Sequence, residues 1–239
     1  MIGNRIIIKR GSRDEGEKPF WISFSDLMSA LMVLFLVAMT VALLAVTKTV
    51  SDVEKAKAQR EADITKLLQE VQQAASAFPG VTVDLNRHII DFGDRARFDS
   101  RSNQLTSEQA RLLRAFIPRV LAVVRDELAS RWLKQIVVEG FTDQRGSYLY
   151  NLNLSLNRSQ RVLCVLLATP FSDETPLTAD EQEQIRDLFL VGGYSFNSAK
   201  ASLEESRRVE MRLEFLDLDE QRSSTAGIPR GNFGSCSIG

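Results

Sequence analysis

The residue that could most clearly do chemistry is Asp26, a carboxyl group near the start of a long apolar run. It is the only charged side chain between Lys18 and Lys48. A charged side chain at the centre of a bilayer costs roughly 2.5–3.5 kcal/mol on insertion scales, so such residues usually have a function. Apolar surroundings favour the neutral form of a carboxyl group, which lets the group take up and release a proton or a Na⁺ ion. Two structural explanations stay open: Asp26 reaches the membrane interface, or Ser25 and Asp26 cap a helix that begins at Leu27.

The run around Asp26 predicts a transmembrane helix over residues 20–47. Leu27 to Val46 alone provides about 20 residues, the length that spans the ~30 Å of hydrocarbon. A signal peptide has an apolar core of only about 7–15 residues, so we interpret the run as an uncleaved anchor. Basic residues in the N-terminal segment, residues 1–19, place that segment in the cytoplasm by the positive-inside rule and the rest of the chain outside. These residues are Arg5, Lys9, Arg10, Arg13 and Lys18.

Residues 48–80 predict a helical stem. The stem has no glycine or proline before Pro79, and one set of positions recurs at alternating spacings of four and three residues. This heptad pattern is typical of a coiled coil, so we expect a parallel homodimer that pairs two copies of Asp26. A single amphipathic helix that packs on its own domain is the alternative. The heptad positions are Val46, Val50, Val53, Lys57, Arg60, Ile64, Leu67, Val71, Ala74 and Phe78.

Residues 81–216 predict an α+β sandwich, with helices on one face of a mixed sheet. The remaining residues, 217–239, are polar and rich in glycine and serine, and predict a flexible tail. The expected elements of the domain are a hairpin (81–85 and 88–92), a helix over 106–130 kinked at Pro118, a strand over 134–139, a helix over 150–168, a short helix within 171–187, and strands over 188–191 and 209–215.

Composition excludes several classes of function. The formal net charge of −1 gives no signal for nucleic-acid binding. Two distant cysteines, Cys164 and Cys236, and the single histidine, His88, make neither a disulfide framework nor a metal site, and Cys164 is expected to be a buried apolar residue. A wall hydrolase needs a second catalytic carboxylate or a metal-bound water. Asp143 with Glu139 does not supply one, so we expect no enzyme and no cofactor.

Three segments carry a resemblance to a known family. Residues 138–147, 151–158 and 206–210 read V-E-G-F-T-D-Q-R-G-S, N-L-N-L-S-L-N-R and S-R-R-V-E. In order and spacing they resemble the OmpA-like peptidoglycan-binding family, whose pattern is V-x-G-[HYF]-T-D-x-x-G, N-x-x-L-S-x-x-R and N-R-R-V. The resemblance covers residues 81–215. Ser206 stands where the family has asparagine, so we interpret Arg207 and Arg208 as structural residues only.

The resemblance implies a peptidoglycan-binding site. By position, Asp143 and Arg158 bind the diaminopimelate group of the peptide stem, Asn151 and Leu154 line the pocket, and Thr142 shapes it. The chemistry is consistent, because a free amino-acid end carries an ammonium and a carboxylate. One acidic side chain, one basic side chain and amide donors satisfy both groups.

The whole arrangement resembles the B subunits of flagellar stators (MotB-like). The run F-W-I-S-F-S-D-L-M over residues 20–28 resembles the B-subunit family of the Zorya anti-phage defence system. This resemblance implies an ion-driven motor in the bacterial inner membrane, with Asp26 as the residue that binds and relays H⁺ or Na⁺. The implied partners are a polytopic membrane subunit of the ZorA or MotA type, a second copy of the chain, and peptidoglycan. A flagellar stator subunit and a passive wall tether without transport are the alternatives.

Overall fold

The structure is a computed structural model that describes residues 17–222 and 229–234. The predicted cytoplasmic segment lies mostly outside these residues, and the predicted tail lies partly outside them. The chain divides into two units, Met1–Ala56 and Lys57–Gly239. The helices are α1 (Glu17–Ala75), α2 (Ser107–Val124), α3 (Glu127–Trp132), α4 (Tyr148–Leu167), α5 (Ala179–Leu188) and α6 (Leu203–Ser206), with a 3₁₀ helix at Gly93–Ala96. The strands are β1 (Thr82–Asp84), β2 (Ile89–Asp91), β3 (Leu133–Gly140), β4 (Phe189–Gly193) and β5 (Val209–Phe215).

The first part of α1 is the apolar helix that the sequence predicts. Among the described residues it is the one helix long and apolar enough to cross a membrane, and its side chains are exposed over residues 23–50. Asp26 lies well inside this helix, because α1 already begins at Glu17. Asp26 therefore does not cap a helix start, and that explanation of the carboxylate is wrong.

The last part of α1 packs on the folded domain. Ile64, Leu67 and Val71 are at most 6% exposed and belong to the same core as the sheet. Arg60 Nε donates to the main-chain carbonyl of Leu216 at 2.8 Å. The coiled-coil prediction is wrong for these positions, since a helix docked on its own domain buries the same heptad pattern that a dimer would bury. The heptad positions nearer the N-terminus, such as Val53, remain exposed.

The sheet is mixed, as expected, with the strand order β1-β2-β5-β3-β4. β3 and β4 pair in parallel, and the other neighbours pair antiparallel. The parallel pair is connected through α4 and α5, as parallel strands require a crossover. Buried apolar side chains of α2, α4 and the sheet form one core.

The helix predicted over residues 106–130 is two helices. Thr106 caps the start of α2 in a reciprocal capping box with Gln109. Pro118 remains inside α2, and the helix ends at Val124. Asp126 then adopts an extended conformation as the N-cap of α3, a position that aspartate favours. The break therefore comes from a new helix start and not from the proline.

Two residues lie differently from their predicted places. His88 is not in a strand but in the turn after β1, with a φ of 56°. Asp84 Oδ1 accepts two main-chain hydrogen bonds in that turn, both of 3.0 Å. These bonds stabilise a turn that extends through His88, so β2 begins at Ile89. Cys164 is half-buried and disulfide-bonded rather than a buried apolar residue. The other cysteine, Cys236, lies outside the described residues.

Candidate functional site

A cavity of about 320 Å³ lies at the end of β3, beside the start of α4 and the loop that precedes α2. All five residues that the sequence assigned to peptidoglycan binding line this cavity, although their binding role stays a prediction. The lining residues are Ser100, Arg101, Thr142, Asp143, Arg145, Tyr150, Asn151, Leu154 and Arg158.

Gly140 places the end of β3 against α4. A Cβ atom at this position would lie 1.9 Å from the carbonyl oxygen of Ser155, which is far inside van der Waals contact, so the close approach requires glycine. Two residues further on, the N–H of Thr142 donates a hydrogen bond to the carbonyl of Ser195, at 2.9 Å. Thr142 and Asp143 are therefore presented directly beside the first turns of α4.

Asp143 is an ionised carboxylate held by two arginines. Its Oδ1 accepts from the main-chain N–H of Arg145 at 3.0 Å. Its Oδ2 accepts from Arg145 Nη2 at 2.7 Å and from Arg207 Nη1 at 3.2 Å. The side-chain hydrogen bonds from Arg145 are the main reason that the pKa of Asp143 is lowered to about 2, while burial opposes them. The carboxylate thus stays negative at physiological pH.

Arg158 forms the buried base of the pocket and is fully buried. Its Nε donates to the carbonyl of Ser102 at 2.9 Å, and its Nη2 donates to that of Asp99 at 3.0 Å. Nη1 donates to the carbonyl of Phe141 at 2.7 Å, and the guanidinium lies 5.0 Å from the ring centroid of Phe98. Burial lowers the pKa of Arg158 to about 10, so the group remains charged at neutral pH. Arg158 therefore fastens the loop before α2 to the end of β3, and only two of its five N–H donors are left.

Asn151 and Leu154 lie on the same face of α4 as Arg158, since these positions are three or four residues apart. Asn151 is buried, and its Nδ2 donates to the carbonyl of Arg145 at 2.9 Å and to that of Ser147 at 3.2 Å. It thereby fixes the loop that carries Arg145. Leu154 is half-buried and supplies apolar surface to the cavity.

Thr142 contributes a hydroxyl group that is not yet satisfied. The side chain is 1% exposed, and its Oγ1 has no hydrogen-bond partner within the described part of the chain. A buried hydroxyl without a partner is unusual and costs free energy. Thr142 lines the cavity, but its hydroxyl oxygen is itself buried, so a ligand reaches this oxygen only if the side chain moves.

Sequence reasoning missed the arginines around Asp143. Arg145 follows Asp143 by two residues within the same motif. This short spacing could have indicated that the two side chains lie close together. Arg207 was assigned a structural role only, yet it contacts the carboxylate directly. The structural assignment suits Arg208, whose Nε donates to the buried Glu210 at 2.6 Å. It also suits Ser206, whose Oγ accepts from the main-chain N–H of Lys200 at 2.9 Å.

Asp26 lies in the other unit and is exposed on α1. One turn further along, Ser29 Oγ donates to the main-chain carbonyl of Ser25 at 2.8 Å. The ion-binding role of Asp26 stays a prediction.

The fold and the pocket together define an anchored protein: one apolar helix followed by one folded domain with a charged cavity. The chain has a helix of membrane-spanning length and an α+β domain with a cavity whose lining combines a carboxylate with guanidinium groups. No family model matches the chain. Zorya protein ZorB of Escherichia coli O139:H28 (strain E24377A / ETEC) is 45% identical over 223 residues, which are 93% of this chain and 91% of that protein. The chain therefore belongs to the ZorB family of Zorya proteins.

Solved structures with a similar domain are more distant. The periplasmic domain of Helicobacter pylori MotB is 17% identical, with a TM-score of 0.38 over 55% of this chain and 75% of that chain. The OmpA-like domain of FopA1 from Francisella tularensis subsp. tularensis SCHU S4 is 16% identical, with a TM-score of 0.35 over 57% of this chain and 83% of that chain. The peptidoglycan-associated lipoprotein from Burkholderia pseudomallei is 14% identical, with a TM-score of 0.32 over 55% of this chain and 92% of that chain.

Proposed function

We propose that this protein is the peptidoglycan-anchored, ion-conducting stator subunit of a Zorya anti-phage defence complex in the bacterial inner membrane. The single observation that carries the proposal is the 45% identity to ZorB over nearly the full length of both chains. Its partners are a polytopic subunit of the ZorA type, which resembles MotA, a second copy of the chain, and the cell wall. The N-terminus is cytoplasmic and the α+β domain is periplasmic.

The pocket is the proposed anchor to the wall. Its proposed ligand is the free amino-acid end of a peptidoglycan peptide stem, diaminopimelate, as the resemblance to the OmpA-like family implies. The ionised Asp143 receives the ammonium group, and guanidinium groups receive the carboxylate. Arg158, with most of its donors already used, contributes mainly positive charge and a rigid base, while Thr142 offers its unpartnered hydroxyl.

Asp26 is the proposed coupling site. Within the assembled complex each Asp26 takes an ion, H⁺ or Na⁺, from the periplasmic side and releases it to the cytoplasm. One elementary charge that crosses 100 mV provides about 2.3 kcal/mol, which can bias a step of the partner ring around the wall-anchored dimer. The protein itself catalyses no covalent reaction in this proposal, and it contacts no nucleic acid directly.

The test compares Asp26→Asn with Asp52→Asn, the same substitution at an exposed position of α1 beyond the apolar run. We expect Asp26→Asn to abolish phage protection and ion uptake while the variant still co-purifies with its polytopic partner. Asp52→Asn should behave like the wild type. Full protection by Asp26→Asn would reject ion coupling and leave the passive wall tether as the function.

A further inference from the structure

The charges around the pocket do not balance. The lining contains one carboxylate, Asp143, and three guanidinium groups, those of Arg101, Arg145 and Arg158. Arg207 reaches the same carboxylate from the side. A pocket with this excess of positive charge attracts a ligand that brings at least one carboxylate.

The two arginines that hold Asp143 differ in how firmly they are held themselves. Arg207 is 12% exposed in its side chain, and its other donors bond to the carbonyl of Phe98 at 3.0 Å and to Glu204 at 3.2 Å. Arg145 is 54% exposed in its side chain, and its one other side-chain hydrogen bond goes to a serine hydroxyl at 3.1 Å. Arg145 is more exposed than Arg207 and has fewer other contacts, so Arg145 is the partner that can be exchanged while Arg207 stays in place.

A second polar feature of the pocket lining is a buried hydroxyl group. The hydroxyl of Thr142 is buried in the pocket lining and has no partner in the described part of the chain. Thr142 directly precedes Asp143 in the chain. Buried hydroxyls are normally hydrogen-bonded, so a small movement of this side chain when a ligand binds would let the hydroxyl find a partner.

We propose that an amino-acid end inserts into the Asp143–Arg145 ion pair. Its ammonium replaces Arg145 on Asp143, and its carboxylate binds the displaced guanidinium of Arg145, so one ion pair becomes two. Arg207 holds Asp143 in position during the exchange, and the ligand's ammonium takes over from Arg145 in stabilising the negative charge. Arg145 is then the residue that selects ligands with a free carboxylate beside the ammonium. This inference rests on the proposed peptidoglycan-binding function and adds the residue that sets its ligand specificity.

The experiment is a two-by-two comparison by isothermal titration calorimetry, with the full chain in detergent. The ligands are meso-diaminopimelate and its diamide, in which a neutral amide replaces each carboxylate. The proteins are the wild type and Arg145→Ala. We expect Arg145→Ala to weaken binding of diaminopimelate by about tenfold or more, the value of one charge-assisted contact. Its effect on the diamide should stay below about twofold. Arg145→Lys should recover part of the loss, because it keeps the charge but not the planar fork.

Controls separate the alternatives. Arg111→Ala, an exposed arginine away from the pocket, should bind both ligands like the wild type. Tighter binding by Arg145→Ala would show that Arg145 only competes with the ligand, and equal losses for both ligands would show that it does not read the carboxylate. A carboxylate-specific loss in Arg101→Ala but not in Arg145→Ala would move the role to Arg101. If the wild type binds neither diaminopimelate nor purified sacculi, the binding function itself is overturned; if it binds and Arg145→Ala is unaltered, only this inference fails.

Discussion

Arg158→Ala should destabilise the α+β domain even when no ligand is bound. The substitution removes three hydrogen bonds of 2.7–3.0 Å to main-chain carbonyls and leaves those carbonyls without their donor. A hydrogen bond to a charged group contributes about 1.5–3 kcal/mol, but the substitution also removes the cost of burying a guanidinium. Each buried acceptor left without its donor costs about 1–3 kcal/mol, so with three carbonyls affected we expect a loss of at least about 3 kcal/mol in the free energy of unfolding.

The assay is urea unfolding of the full chain in detergent, followed by the fluorescence of Trp132 in a Trp21→Phe background. Trp132 is the tryptophan of the folded domain and is 8% exposed, so its signal reports this domain alone. Arg119→Ala, an exposed arginine of α2, is the matched control and should change the free energy by less than about 0.5 kcal/mol. An unchanged unfolding midpoint for Arg158→Ala, together with lost binding to purified sacculi, would refute the scaffold role and make Arg158 a direct ligand contact.

Two further predictions use the same unfolding assay. Leu67→Ala should cost about 2–5 kcal/mol, because Leu67 is 1% exposed in the domain core, whereas Val53→Ala, at a residue that is 45% exposed, should be nearly neutral; equal effects would contradict the docking of α1. Asp143, whose pKa falls from 3.8 to about 2 on folding, should stabilise the domain by on the order of 2 kcal/mol above about pH 4, and this stability should disappear as the pH falls through about 2. Asp143→Asn should lack that acid-dependent loss, and parallel curves for the two proteins would contradict the assignment.

Periodicity and turn chemistry predicted most of the elements. β5 occupies the predicted residues 209–215, and α4 differs from its predicted range by two residues at the start and one at the end. The error in α1 has a physical cause: a heptad pattern shows that one helix face is buried but not what covers it. The error in α2 arose because Asp126 was not recognised as a cap, although aspartate starts helices well.

The site was predictable in its membership but not in its electrostatics. The motif places Thr142 and Asp143 at a strand end and Asn151, Leu154 and Arg158 on one helix face, so their convergence follows from the fold. The contact of Arg207 with Asp143 depends on the antiparallel register of β3 and β5, in which Glu139 pairs with Glu210. Spacing along the chain does not contain that register. The complete burial of Arg158 likewise depends on where the loop before α2 folds back.

The docking of α1 determines where this chain can be divided for experiments on the folded domain. The sequence places its strongest break at Pro79-Gly80, and a recombinant fragment designed from the sequence alone would begin there. Such a fragment lacks five core side chains and would expose the apolar surface that they cover, which favours aggregation. These side chains belong to Ile64, Leu67, Leu68, Val71 and Ala75. A fragment that begins at or before Lys57 keeps all of them and also keeps the hydrogen bond from Arg60 to the end of β5.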